Sequence, residues 1–211
     1  MKSFVFDLKW PQDAPDRMIN NEVEFNIPIL PAFAIEYSDF SFTDSLVECK
    51  SLLVEGRDYI LRNDKLVWSD FTAPLHKPAY RLTIYHHGIR DFSLLFPHVC
   101  DNALKCRLGR FYKEADTAFE NGIWLSFALM CGALYEGLLF AYLEENLNFF
   151  DLINKAGDKE IIDSNIVEIM HRARNLRNLV HANNFSKEFV SRSDAMDMRK
   201  VMDFLIKMDW N

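Results

Sequence analysis

The sequence pattern changes near residue 90, and this change constrains the fold more than any other feature. Before it, apolar residues come in short runs separated by turn-forming residues, and six of the seven prolines lie there. After residue 97, apolar residues recur every three or four positions, which is typical of amphipathic helices. We therefore predict an α+β protein, with a β-rich domain over residues 1–92 and a helical bundle over residues 93–211.

The β-rich domain contains five segments with strand-like composition and turn residues at their ends. They cover residues 23–30, 32–42, 45–56, 58–71 and 80–88. The pair Asn63-Asp64 predicts a tight hairpin turn between two of them. We expect a small antiparallel β-sandwich with prolines at strand ends or edges and aromatic residues in its core. The prolines are Pro28, Pro31, Pro74 and Pro78. The aromatic residues are Phe40, Phe42, Trp68 and Phe71.

The C-terminal part is predicted to contain five helices. The first opens at Pro97 or Asp101 and runs to about residue 115, and the second covers residues 118–145. A short third helix ends at Gly157, since glycine commonly terminates helices. The last two are predicted from N-capping residues: one from Ser164 to about His181, and one from Ser191 or Ser193 to about Lys207.

Residues 123–143 form an apolar run long enough to cross a bilayer. Glu136 lies well inside this run, and two further glutamates follow it in place of the basic residues expected on a cytoplasmic flank. We therefore interpret it as the central helix of a soluble bundle. A membrane-spanning helix is the alternative interpretation.

Composition and charge bound the function and location. The net charge of −7 argues against a general nucleic-acid-binding surface, so any such contact must come from the basic patch at residues 171–177. The four cysteines show no CxxC spacing, and Asp7 and Pro11 interrupt the N-terminal apolar stretch too early for a signal peptide. We expect a cytoplasmic protein.

No metal site or cofactor is predicted. His86, His87 and His98 have no cysteine or carboxylate at ligand spacing, so we expect them to be exposed or to cap other elements. The sequence contains no glycine-rich phosphate loop and no serine-nucleophile motif.

The stretch HRARNLRNLVHANN, residues 171–184, carries the candidate chemistry. On a helix turning about 100° per residue, Arg174, Arg177, Asn178 and His181 lie within one narrow arc. Guanidinium groups suit phosphate geometry, and an imidazole exchanges protons near neutral pH, so these residues are candidates for a phosphodiester-cleaving site. The alternative is a solvated helix face on which cations near the C-terminus interact favourably with the helix dipole.

The same stretch resembles the signature of the HEPN superfamily of small helical bundles. Its motif is an arginine, often followed by a polar residue, and a histidine after four to six further residues. Arg174-Asn175 and His181 fit this motif, with six residues between the arginine and the histidine. The preceding segment, YKEADTAFENGIWLSFALMCGALYEGLLFAYL, resembles the family's long helix with a glutamate, here Glu136. Many members carry an arginine four residues before that glutamate, where this chain has Gly132.

The resemblance implies a metal-independent endoribonuclease that works as a homodimer, with the arginine and histidine of both subunits meeting across the interface. Arg174 would then bind the scissile phosphate, His181 would act as general acid or base, and Asn175 would orient it. Arg177 and Asn178 would support them, and Glu136 would be the family's helix glutamate. From the residues alone, an ion pair from Glu136 to Arg174 or Arg177 is an equally good interpretation, since a carboxylate in an apolar helix must be paired or neutralised.

Two functional hypotheses follow. In the first, the protein is an RNA-cleaving effector of a toxin–antitoxin or antiphage-defence system, and the β-rich domain recognises a trigger or a protein partner. That domain resembles the small β-domains of phage tail and fibre proteins through SLLVEGRDYILRNDKLVWSDFTAP followed by YRLTIYH. In the second, the bundle is a non-catalytic module that dimerises and binds a nucleotide or a partner.

Overall fold

A computed structural model of the chain describes residues 1–11, 22–44, 49–69, 79–184 and 186–208. The chain divides into two compact units, Met1–Asp91 and Phe92–Asn211. The described strands lie in the first unit and the α-helices in the second, so the α+β prediction is confirmed.

The described part of the first unit contains seven strands in two antiparallel sheets. They are β1 (Lys2–Leu8), β2 (Glu22–Asn26), β3 (Phe33–Asp44), β4 (Cys49–Leu53), β5 (Tyr59–Arg62), β6 (Lys65–Ser69) and β7 (Ala79–Ile89). One sheet has the strand order β1-β7-β3-β4 and the other β2-β6-β5. Every pairing between neighbouring strands is antiparallel.

The hairpin predicted at Asn63-Asp64 is confirmed. These two residues join β5 and β6, and Asn63 adopts the left-handed backbone conformation, with φ of 53°. Asparagine tolerates this conformation better than most residues, because its short polar side chain hydrogen-bonds locally. The turn therefore follows from the sequence at that point.

Aromatic side chains from both sheets contact each other in the core of the first unit. The ring of Phe40, on β3, lies 5.7 Å from that of Phe25 on β2 and 5.4 Å from that of Trp68 on β6. Phe40 and Trp68 are buried as predicted, while Phe42 is half-buried and Phe71 lies outside the described residues.

The strand predictions differ from the structure at several ends. β1 was not among them, although it pairs with β7 along its whole length. β2 ends at Asn26, and Pro28 and Pro31 lie in the connection to β3. Pro74, Pro78 and residues 45–48 of the third predicted segment lie outside the described residues.

The second unit contains five α-helices in its described part. They are α1 (Asn102–Glu120), α2 (Trp124–Leu143), α3 (Phe149–Asp158), α4 (Ser164–Arg177) and α5 (Arg192–Lys207). Side chains of Asp101, Asn148, Asp163 and Ser191 cap the first turns of α1, α3, α4 and α5.

Some predicted helix ends are wrong by a few residues. α1 is longer than predicted and α2 starts later, because Gly122, with φ of 69°, turns the chain between them. The cap of α4 is Asp163, whose carboxylate accepts from the Ile166 N–H at 2.8 Å, and Ser164 is already helical. Gly157 lies inside α3, where a Cβ atom would be 2.9 Å from Val167 Cγ2, so it permits close approach of α4. The predictions for α5, with its Ser191 cap, are confirmed.

α2 is the central helix of the second unit. It packs against α1, α3, α4 and α5, and residues such as Phe127, Cys131 and Tyr135 are fully buried. Among the described residues, it is the one helix long and apolar enough to span a membrane. Its contacts with four other helices are those of a core helix.

Candidate functional site

The helix that carries the candidate residues ends earlier than predicted. α4 stops at Arg177, and Asn178–Val180 form a 3-10 turn, after which His181 has an extended backbone. The Asn178 carbonyl accepts from the His181 N–H at 3.2 Å and from the Asn184 side-chain amide at 2.7 Å. Because these bonds satisfy a carbonyl at the helix end, the α-helix does not continue. The predicted common helical arc therefore does not extend to His181.

Arg177 holds α4 against α2. Its guanidinium donates to the Glu136 carboxylate at 2.8 Å and lies 5.7 Å from the centre of the Phe149 ring. Both members of the ion pair are about one-third exposed. Its Cδ atom would be 3.5 Å from a Cβ atom at Gly132, so the aliphatic stem of Arg177 passes over that position. Of the two ion pairs proposed for Glu136, the structure forms the one with Arg177.

Arg172 is also compensated by carboxylates. Its guanidinium donates to Asp197 on α5 at 2.7 Å and lies 3.6 Å from Asp194. This arginine therefore links α4 to α5.

Arg174 differs from these two arginines. No carboxylate lies within ion-pair distance of its guanidinium in the described part of the chain. The group lies 5.2 Å from the centre of the Phe150 ring on α3 and donates to the side-chain oxygen of Asn175 at 3.3 Å. A cation above an aromatic ring is held in place while its charge remains uncompensated. Arg174 is thus the arginine of this run best suited to bind an external anion.

A second histidine, which was not predicted as a site residue, lies beside Arg174. The His171 ring centre is 5.0 Å from that of Phe150, and its Nε2 atom is 2.9 Å from the Asn154 side-chain oxygen. Because that oxygen only accepts hydrogen bonds, Nε2 carries the proton and Nδ1 is the basic nitrogen. Partial burial, together with the charge of Arg174, lowers the pKa of His171. This shift favours the neutral form of the imidazole.

The remaining predicted site residues are exposed. The side chains of Asn175, Asn178 and His181 are open to solvent. Asn175 contacts Arg174, and Asn178 caps α4. Within the described ranges, no hydrogen bond or ion pair joins the His181 side chain to another predicted site residue. The structure thus brings together Arg174 with Asn175, and Arg177 with Glu136.

Sequence reasoning missed Phe150, His171 and Asn154. His171 was detectable, since it precedes Arg174 by three positions and such residues are neighbours on a helix surface. Phe150 and Asn154 lie on α3, and their contact with α4 depends on how the two helices pack. Sequence spacing carries no such information.

His86, His87 and His98 differ in their surroundings. Within the described residues, no group of three His, Cys, Asp or Glu side chains is placed to hold a metal ion. His86 is buried against Phe33, so its predicted exposure is wrong, whereas His87 is exposed beside Glu36. Burial lowers the pKa of His98 to about 4.

Comparisons with protein-family models, with curated proteins and with solved structures found no match. The chemistry available at the C-terminal end of α4 is therefore inferred from its own residues. These offer a guanidinium with no carboxylate partner in the described part of the chain, an imidazole beside it and a solvent-exposed imidazole a few residues further on. Such groups bind anions and exchange protons.

Proposed function

We propose that the chain is a metal-independent endoribonuclease built on an HEPN-like helical bundle and acting as a homodimer. We further propose that the two N-terminal sheets form a β-sandwich that recognises a protein partner, as an effector of a toxin–antitoxin or antiphage system would need. The observation that carries the proposal is the state of Arg174. It lacks a carboxylate partner among the described residues, while Arg172 has two and Arg177 has one.

The proposed reaction assigns a role to each group. Arg174 binds the scissile phosphate and stabilises its additional negative charge in the transition state. The ribose 2′-hydroxyl loses its proton and attacks phosphorus, the bond from phosphorus to the 5′-oxygen breaks, and that oxygen gains a proton. His181 exchanges these protons as general base or acid. The products are a 2′,3′-cyclic phosphate and a 5′-hydroxyl end.

The supporting residues act through position. Asn175 contacts Arg174 and so orients the phosphate-binding group. Arg177 and Glu136 fix the end of α4 on α2, and Asn178 ends the helix so that His181 lies in solvent. These four residues shape the site without touching the substrate.

The experiment is incubation of the purified protein with RNA in EDTA, followed by analysis of the new ends. We expect cleavage that yields cyclic phosphate, and we expect His181→Ala and Arg174→Ala to reduce its rate by about 100-fold or more. Arg110→Ala is the matched control, since Arg110 is an exposed arginine on α1. Absence of cleavage of any RNA, or full activity of both variants, would contradict the proposal.

The second candidate is a non-catalytic module that dimerises and binds a nucleotide or a partner. It is favoured by the contacts of Arg177, Glu136 and Asn178, each of which has a structural role within the bundle. In that case Arg174 still binds a phosphate, but no RNA is cleaved. Binding of a nucleotide that is lost in Arg174→Ala, without cleavage by the wild type, would support this candidate.

A further inference from the structure

We propose that Phe150, His171 and Arg174 form a binding surface for an unpaired nucleobase of RNA, next to the phosphate bound by Arg174. This inference rests on the proposed function and adds a site that positions the substrate. We call these three residues the Phe150 platform.

The first step concerns the exposed ring. Phe150 is the second residue of α3 and keeps 44% of its surface exposed, and Phe140, Phe189 and Phe204 are also exposed. Exposure alone does not set Phe150 apart, but among the exposed phenylalanines that the structure describes it is the one with a guanidinium and an imidazole beside its ring. The ring is also held in place, because Arg174 lies 5.2 Å and the His171 ring 5.0 Å from its centre.

The second step concerns the neighbours of the ring. Asn154 holds the imidazole of His171, and Asn175 contacts Arg174, so both groups flanking the ring have defined positions. The carboxylate that follows in sequence, Asp151, accepts from the Asn148 side-chain amide at 2.5 Å. The platform thus combines a flat apolar surface, a second flat ring and an uncompensated positive charge.

The third step identifies the ligand by its chemistry. A base has a flat π-face and is joined to a phosphate, so it offers one group to the ring and another to the guanidinium. Proteins bind single-stranded nucleic acids with this combination of stacking and positive charge. A base within a duplex is covered on both faces by its neighbours, so a ring on one helix cannot reach it. We therefore expect the platform to bind an unpaired base.

The experiment measures the binding of short fluorescent oligouridylate and oligoadenylate by anisotropy. The full chain carries His181→Ala in every sample, so that the RNA is not cleaved. In this background we expect Phe150→Leu to weaken binding about tenfold, because leucine keeps the apolar volume and loses the π-face. We expect Phe150→Trp to bind at least as tightly. Phe189→Leu is the matched control, since Phe189 is 68% exposed outside the platform.

A second comparison separates the base from the phosphate. An abasic ribose-phosphate oligomer of equal length should bind about tenfold more weakly than oligoadenylate to the parent, and equally weakly to Phe150→Leu. Equal affinity of the parent for both oligomers, or unchanged binding by Phe150→Leu, would overturn the platform. If the platform fails these tests but the wild type still cleaves RNA, the proposed function stands without the platform. If the protein neither binds nor cleaves RNA, the platform and the proposed function are both overturned. A duplex that binds as tightly as the single strand would also overturn the inference.

Discussion

At the scale of single residues, the charge environment separates three arginines that look equivalent in sequence. Arg172 and Arg177 each have a carboxylate within hydrogen-bonding distance, on α5 and α2 respectively. Arg174 has an aromatic ring instead. An arginine always carries its charge, so the one with no carboxylate partner among the described residues has the largest gain on binding a phosphate. The three arginines therefore differ in their surroundings on the helix surface, and this difference identifies Arg174 as the candidate phosphate-binding residue.

The ion pair between Arg177 and Glu136 leads to a prediction on stability. Because both side chains are about one-third exposed, solvent screens the pair, and we expect Glu136→Gln to lower the free energy of unfolding by about 1 kcal/mol. A double-mutant cycle with Arg177→Gln, measured by urea denaturation, should give a coupling energy of about 0.5–1 kcal/mol.

The pair between Lys65 and Glu24 provides the control for this cycle. Its side chains are about half exposed and it links two strands, so Glu24→Gln should change stability by less than about 0.5 kcal/mol. A coupling energy near zero for Arg177 and Glu136 would show that the contact does not hold α4 on α2.

At the scale of secondary-structure elements, the interiors of the helices and strands could be predicted better than their ends. Apolar patterning and capping residues located the five helices of the described part, and the Asn63-Asp64 turn located the β5–β6 hairpin. The end of α4 was missed because it depends on the Asn184 side chain, which bonds to a carbonyl six residues earlier. β1 was missed although its residues alternate, since its partner β7 lies more than seventy residues away.

The candidate site was predictable to a similar degree. The pairing of Glu136 with one of two arginines was foreseen, because a carboxylate in an apolar helix requires a partner. The contact between Phe150 and Arg174 was not, since it depends on the packing of α3 on α4. Residues on one helix can be related by spacing, whereas residues on two helices are related only by tertiary structure.

Two glycines in the helices give opposite predictions. A Cβ atom at Gly109, on α1, would be 2.8 Å from the backbone nitrogen of Ser93, whereas at Gly132 the one contact within 4 Å is the Arg177 stem at 3.5 Å. Gly132→Ala should therefore raise the free energy of unfolding by about 0.5–1 kcal/mol, the usual gain in helix propensity. Gly109→Ala should lower it by about 1–3 kcal/mol, because the backbone must move.

Chemical denaturation of the two variants, each compared with wild type, checks these values. Both variants replace a helical glycine by alanine, so the gain in helix propensity is the same and the difference between them reports the space around each Cβ atom. A destabilised Gly132→Ala would mean that the Arg177 stem lies closer to α2 than the structure shows.

At the scale of the whole molecule, the net charge of −7 repels nucleic acid, so RNA binding must depend on a local surface. The end of α4 is such a surface, and two exposed apolar residues lie close in sequence to its ion pair. Phe140 follows Glu136 by four residues on α2 and is 40% exposed, and Val180 follows Arg177 by three residues and is 49% exposed. Residues four apart on an α-helix are surface neighbours, so Phe140 is expected beside Glu136. Aromatic residues and arginine are enriched at protein interfaces, and Phe140 and Arg177 belong to these classes.

We therefore expect the proposed homodimer to bury Phe140, and we expect Phe140→Glu to weaken it. In sedimentation velocity over a range of concentrations, the wild type should be dimeric, and Phe140→Glu should raise the dissociation constant about tenfold or more, because a charge would be buried in an apolar contact. Cleavage of RNA should fall in parallel, since the proposed site uses residues of both subunits. Phe204→Glu is the matched control. Phe204 lies on α5, is similarly exposed at 44% and is not one of the proposed site residues. A wild type that cleaves RNA as a monomer, or a Phe140→Glu variant that dimerises normally, would contradict this assignment of the interface.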